Sequence, residues 1–219
     1  MATVGAKSGA RRALQAAAIL GIAAVVAVGL VSVVHDLAQP RIEASQRAQR
    51  LAQLTTVLGG VRYDNDPLAD VTFVRDPELL GVDAALPVHR ARFAGQPAAL
   101  LFTTVAPDGY AGAIRLLVAI DVDGRLLGVR VLSHRETPGL GDAIEERRSS
   151  WIRIFDGRSL VDPPAERWKV RKDGGDFDQF TGATVTPRAI VGAVRNVLVY
   201  QERHREELFS AAPAAAATP

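Results

Sequence analysis

An α+β fold behind a single N-terminal membrane-spanning helix is what this 219-residue sequence predicts, and three observations carry that reading. The segment from Ala13 to Val34 is apolar apart from Gln15 and Ser32. Residues 113–133 form two runs of alternating apolar side chains about a short turn, the period of half-buried strands. Near the C-terminus, Ile190, Val191, Val194, Val197 and Leu198 recur with a helical period. An antiparallel sheet with helices packed against it satisfies both patterns.

The elements follow in chain order. As a helix, Ala13–Val34 is long enough to span the roughly 30 Å hydrocarbon core of a bilayer. Lys7, Arg11 and Arg12 precede it without an acidic residue, so residues 1–12 are expected in the cytoplasm and everything after Val34 outside it. A cleavable signal peptide would have an apolar region of roughly 7–15 residues ending in an A-x-A-like site. Val33-Val34-His35-Asp36-Leu37-Ala38-Gln39-Pro40 offers none, which favours an uncleaved anchor.

Residues 35–60 read as a helical stalk: Arg41 to Leu58 keeps Ala44, Ala48, Leu51 and Leu58 on one side, and Gly59-Gly60 stops it. One domain is expected over residues 61–209. Its early strands are Val71–Val74, Val88–Phe93 and Ala98–Val105, and its clearest hairpin pairs Ala113–Asp121 with Arg125–Ser133 through Val122-Asp123-Gly124. The second hairpin strand delivers His134, Glu136 and Thr137 to a loop, and Gly139-Leu140-Gly141 opens a short helix through Ile144. Trp151, Ile152 and Phe155 suggest a helical or edge segment, and Trp168 to Val170 a short strand. Both tryptophans read as packing residues. The Ala- and Pro-rich residues 210–219 are expected to be disordered.

Charge excludes some functions. The net charge of +2 contains the three basic residues before the anchor, so the remainder is net −1 and offers no basic field for nucleic acid. Without cysteine, the chain has no disulfide, Cys-ligated iron–sulfur cluster or thiol catalysis. Its four histidines show no metal-ligand spacing. There is no G-x-x-x-x-G-K-[ST], G-x-S-x-G or H-E-x-x-H, which argues against a P-loop ATPase or a common hydrolase site.

Thr181-Gly182-Ala183-Thr184-Val185-Thr186-Pro187 brings hydroxyls to the start of the last helix, with Thr186 expected as N-cap and Pro187 as the first helical residue. Free N–H groups and the positive end of the helix dipole favour a phosphate there, and Gly182 and Ala183 let a bulky group approach the backbone. The plainer reading is a capped helix start. An aliphatic hydroxyl without a neighbouring base is a poor nucleophile, so Thr184 would hold a phosphate rather than react unaided.

The run resembles the [ST]-G-A-T-x-[ST] flavinylation motif of FMN-binding domains, whose fourth residue carries FMN through a phosphoester bond. Gly109-Tyr110-Ala111-Gly112, Val131 to Gly141 and Lys172 to Phe180 extend the likeness to the RnfG (RsxG) component of the Rnf (Rsx) electron transport complexes. The NqrC component of the sodium-pumping NADH:quinone oxidoreductase is a looser match, and Ala113 stands where the family more often has Pro. The resemblance implies FMN attached to Thr184, the His134–Gly141 loop against the isoalloxazine, and the Lys172–Thr184 loop around the phosphate and ribityl chain. Expected neighbours are Thr181, Gly182, Ala183, Glu136, Thr137, Leu140 and Gly141, with Lys172 on the phosphate. It also implies a separate Mg²⁺-dependent flavin transferase for maturation, other subunits of the complex as partners, contact with membrane lipid, and a bacterial inner membrane location with the domain in the periplasm. The protein would relay electrons without an independent catalytic site. A flavin-free sensor or assembly domain is the alternative.

Overall fold

The computed structural model describes residues 4–210, with side chains omitted through residue 19 and at 22, 23, 26 and 36. The chain divides into two compact units, Met1–Gln49 and Arg50–Pro219.

The first unit is helix throughout its described length, part of α1 (Val4–Val57), which continues through Pro40 despite the hydrogen bond a proline removes. Leu20, Val25, Val28, Leu30, Val31, Val33, Val34 and Leu37 are all exposed along it. The expected span 13–34 falls partly on residues whose side chains lie outside the described set. Among the described residues, no helix is long and apolar enough to cross a membrane.

The second unit is α+β. Five antiparallel strands, β1 (Val71–Val74), β2 (Leu86–Phe93), β3 (Gln96–Ala106), β4 (Ile114–Asp121) and β5 (Leu126–Ser133), lie side by side in chain order. Every strand read from the sequence over residues 71–133 is present, with ends shifted by two residues or fewer. Between β1 and β2, Asp76 caps the single turn α2 (Pro77–Leu80) by accepting from the N–H groups of Glu78 and Leu79.

Alternation places Ile114, Leu116, Val118 and Ile120 of β4 wholly inside the main core. That face is covered by α3 (Val185–Ser210), whose Ile190, Val191, Val194, Val197 and Leu198 are buried. Each such side chain stabilises the fold by about 1.5–3 kcal/mol. The opposite face of the sheet is covered too. Leu54 and Val57 at the end of α1, with Leu58, pack on Ala91, Ala99, Leu101, Leu117 and Ala119. The last turns of the expected stalk are therefore core of this unit.

Strands β1 and β5 are the sheet edges. At the start of β5 the edge is closed, because Leu126 exchanges backbone hydrogen bonds with Arg158 and Gly157. Register shifts opposite Ala119/Ile120 and Arg115/Leu116 interrupt its ladder with β4 at both ends.

After β5 the chain runs through 3-10 turns. Trp151–Phe155 is one of them, so the helical option holds there. The expected strand at Trp168–Val170 reduces to one bridge, Val170 with Phe177. The reason is that Trp168 turns inward, donating its indole N–H to the carbonyls of Ser159 and Pro163 at 3.0 Å each. Of the expected tail, Ser210 closes α3 and residues 211–219 lie outside the described residues.

Candidate functional site

Helix α3 begins two residues earlier than its sequence suggests. Val185 is its first residue, and the Thr184 carbonyl accepts the Arg188 N–H at 3.2 Å, which makes Thr184 the cap. Thr186 and Pro187 thus lie in the first turn, correcting the expectation that they would be N-cap and first helical residue. The helix instead starts at Val185, and the buried Thr186 hydroxyl, on its first turn, donates to Glu136 Oε2. Pro187 is tolerated because no N–H in the first turn has an intrahelical partner.

The approach to Thr184 is a tight turn. The Ala183 N–H donates to the Phe180 carbonyl at 3.2 Å, and Gly182 adopts φ of +83°, a conformation costly for any residue with a Cβ. A Cβ there would meet nothing within 4 Å, so the turn is open on its outer side. Thr181 and Gly182 are exposed, and Ala183 and Thr184 half-buried. Among the described residues, nothing in the protein hydrogen-bonds the Thr184 hydroxyl, and the N–H groups of Val185 and Thr186 have no acceptor.

Aromatic packing fixes this loop from behind. Phe180 lies 5.1 Å from Trp151, and Phe177 lies 5.3 Å from Phe155 and 4.7 Å from Trp168. The Trp151 indole donates to the Asp178 carbonyl at 2.7 Å. Both tryptophans are buried, as expected of packing residues.

Glu136 joins three segments. It is 4% exposed, and its Oε1 accepts the Ala111 N–H at 3.0 Å while Oε2 takes the Thr186 hydroxyl. Glycine makes the room: a Cβ on Gly141 would lie 2.7 Å from Oε2, and one on Gly109 3.0 Å from Oε1. The 109–112 loop, the 134–141 loop and the start of α3 thus meet on one carboxylate. Thr137 and Leu140 are exposed on the turn beside it, where the Thr137 carbonyl accepts the N–H groups of Leu140 and Gly141.

His134 is fixed by its neighbours. Its Nδ1 accepts the Glu136 N–H at 3.0 Å, which leaves the ring proton on Nε2, 2.8 Å from Glu145 Oε1. Hydrogen bonds from Arg147 first and His134 second hold the Glu145 carboxyl down at about 2, far below the usual carboxylate range. His134 and Glu136 therefore form no acid/base pair: Glu136 contributes only its backbone N–H to His134.

Lys172 is exposed in the 3-10 turn Arg171–Asp173, and its backbone N–H lies 3.3 Å from Gln179 Oε1. Next to it, Asp173 accepts two hydrogen bonds from Arg188, at 2.6 and 2.9 Å, which tie this turn to α3 and lower the Asp173 pKa. Sequence reasoning does not single out Arg188. Its position four residues after Thr184, on the same helical face, is the available signal.

These residues suit an esterified phosphate: a hydroxyl without a protein hydrogen bond, two N–H groups without acceptors at the positive end of a 26-residue helix, and exposed Lys172 on a turn that Arg188 ties to the helix through Asp173. The fold belongs to a defined class. Residues 109–199 match the FMN-binding domain family, and residues 1–57 match the RnfG N-terminal region. Relatives extend the match to nearly the whole chain. The G subunit of the ion-translocating oxidoreductase complex of Pseudomonas aeruginosa strain UCBPP-PA14 is 50% identical over 205 residues, 94% of this chain and 96% of the relative. The protein of that name from Vibrio atlanticus is 45% identical over 88% of this chain and 91% of its own length. That from Shewanella loihica is 43% identical over 91% and 94%. The chain belongs to the family formed by the G subunits of ion-translocating oxidoreductase complexes.

Proposed function

We propose that this protein is the membrane-anchored subunit of an ion-translocating electron transport complex, carrying FMN through a phosphoester to Thr184 and relaying electrons between neighbouring redox subunits. The observation that carries this reading is the Thr184 hydroxyl, free of protein hydrogen bonds at the start of α3. Val185 and Thr186 offer N–H donors to the phosphate, and Lys172 offsets its charge. Gly182 leaves the outer side of the turn open, with exposed Thr181 and half-buried Ala183 beside it. Once bound, FMN supplies the redox chemistry, and the protein tethers it and shapes its surroundings.

Residues 13–34 form the anchor, 1–12 stay cytoplasmic, 35–60 connect, and 61–209 form the periplasmic flavin domain. The exposed apolar run from Leu20 to Val34 supports the anchor, because a helix apolar on all sides suits lipid. The partners are the other members of the complex, membrane lipid, and a flavin transferase during maturation.

The test is intact mass and in-gel flavin fluorescence of the full chain, co-expressed with a flavin transferase. One FMN adduct on Thr184, absent from Thr184→Val, is the expected result. An unmodified chain beside a modified control acceptor would reject the covalent assignment in favour of a flavin-free assembly role.

A further inference from the structure

We propose that a cavity on the C-terminal half of α3 docks an uncharged chain segment of another subunit of the complex, which brings a backbone carbonyl to Gln201 and an apolar side chain to Val161; this rests on the subunit reading above. The cavity, about 430 Å³, lies where the β4–β5 turn and residues 159–161 meet α3 at Leu198 and Gln201. Gln201 follows Thr184 by 17 residues, about 25 Å along a helix, so the cavity is separate from the flavin end. Gln201 is 2% exposed, and its amide nitrogen is buried without a hydrogen-bond partner. The amide end stands at the cavity wall, because a Cβ on Gly124, which also lines the cavity, would lie 3.6 Å from Gln201 Oε1. A buried donor left unpaired is costly, and an acceptor entering the cavity relieves that cost.

Val161, on the cavity lining, is 85% exposed, and its loop is held in place. Ser159 Oγ accepts the N–H groups of Val161 and Asp162 at 3.3 and 3.2 Å, and the carbonyls of Ser159 and Pro163 share the Trp168 indole N–H. An apolar side chain on a fixed loop beside a cavity has little ordering entropy left to lose when a partner covers it. The charges identify that partner. Asp123 and Glu202 are matched around the cavity by Arg125 and Arg205, and Arg205 lies 3.9 Å from Asp123. A balanced lining draws neither a phosphate nor an anionic headgroup. It suits an uncharged peptide segment, whose backbone supplies the acceptor that Gln201 lacks and whose side chain covers Leu160 and Val161.

The chain has no cysteine, so Val161→Cys creates its single thiol. The full chain carrying it is compared alone and in the complex purified from membranes with its other subunits, and maleimide labelling of this chain is timed by intact mass. Labelling should be about tenfold slower in the complex. Adding Gln201→Leu should return labelling in the complex toward the rate of the isolated chain. The thermal melt of Gln201→Leu should stay at or above that of wild type, since its amide nitrogen gives up no hydrogen bond. A benzophenone attached to the thiol should cross-link on irradiation to a peptide of another subunit. Equal labelling alone and in the complex, a Gln201→Leu change that leaves labelling slow, or a lowered melt in that variant would overturn the proposal. A cross-link only to a second copy of this chain or to lipid would overturn it as well. A wild-type chain that co-purifies with no other subunit would overturn the subunit reading itself, so the two failures are told apart before any labelling.

Discussion

At the C-terminal end of α3 the carbonyls of Leu208 and Phe209 receive guanidinium N–H groups from Arg90 and Arg92, at 3.2 and 2.8 Å. Asp70 bridges the two arginines, at 2.6 and 2.7 Å. At the N-terminal end, by contrast, two N–H groups and the Thr184 hydroxyl have no protein partner among the described residues. Both ends carry the same kind of unsatisfied backbone. The fold saturates one with buried charge and leaves the other open. The difference teaches where to look for a ligand: along one helix, the end the protein does not complete is the end a phosphate can.

The comparison can be broken first at the saturated end. Arg90→Met leaves Asp70 with Arg92 alone and the Leu208 carbonyl without its guanidinium, in a site where Arg90 is fully buried, and should cost about 3 kcal/mol in denaturant unfolding. The open end should respond to Glu136→Ala with a loss of about 2–3 kcal/mol, since two donors lose a charged acceptor. That variant should also lose flavinylation under conditions where it remains folded. Milder is acidification. Because the folded Glu145 pKa is depressed to about 2 from the ordinary 4.5, its contribution is complete above pH 4.5 and lost as pH falls toward 2. Acid titration should therefore show the contribution of Glu145 with Arg147 and His134 vanishing in that window, and Glu145→Gln should flatten it. Smallest is Thr184→Val, whose unfolding should match wild type to within about 0.5 kcal/mol while covalent flavin disappears. A large stability loss in that variant would show that the open end is not open.

Much of the fold was legible in the sequence because short-range periodicity encodes it. The alternation of Ile114, Leu116, Val118 and Ile120 gave β4 its buried face, and the stripe from Ile190 to Leu198 gave α3 its own. A helix start near Thr184 was legible for the same reason, being contiguous, though its first residue lay two positions earlier than expected. What escaped depends on partners far apart in the chain. Thr186 looked like a cap because its acceptor, Glu136, lies 50 residues earlier. The Arg90, Arg92 and Asp70 network joins β2 to a helix end more than a hundred residues away, and neither arginine stands out within an alternating strand. Leu54, Val57 and Leu58 follow a helical period that a solvated stalk and a core-facing turn share, and only the sheet behind them decides between the two.

The interrupted ladder at the β5 edge bears on how many copies of such a domain can share one crowded compartment. A long, straight sheet margin is a template on which the next molecule can nucleate. Here the margin is blocked at Leu126 by residues 157–158 and bent by register shifts at both ends, which shortens the flat stretch left to a passing strand. Edge-to-edge pairing of one copy with the next is thereby limited along this margin.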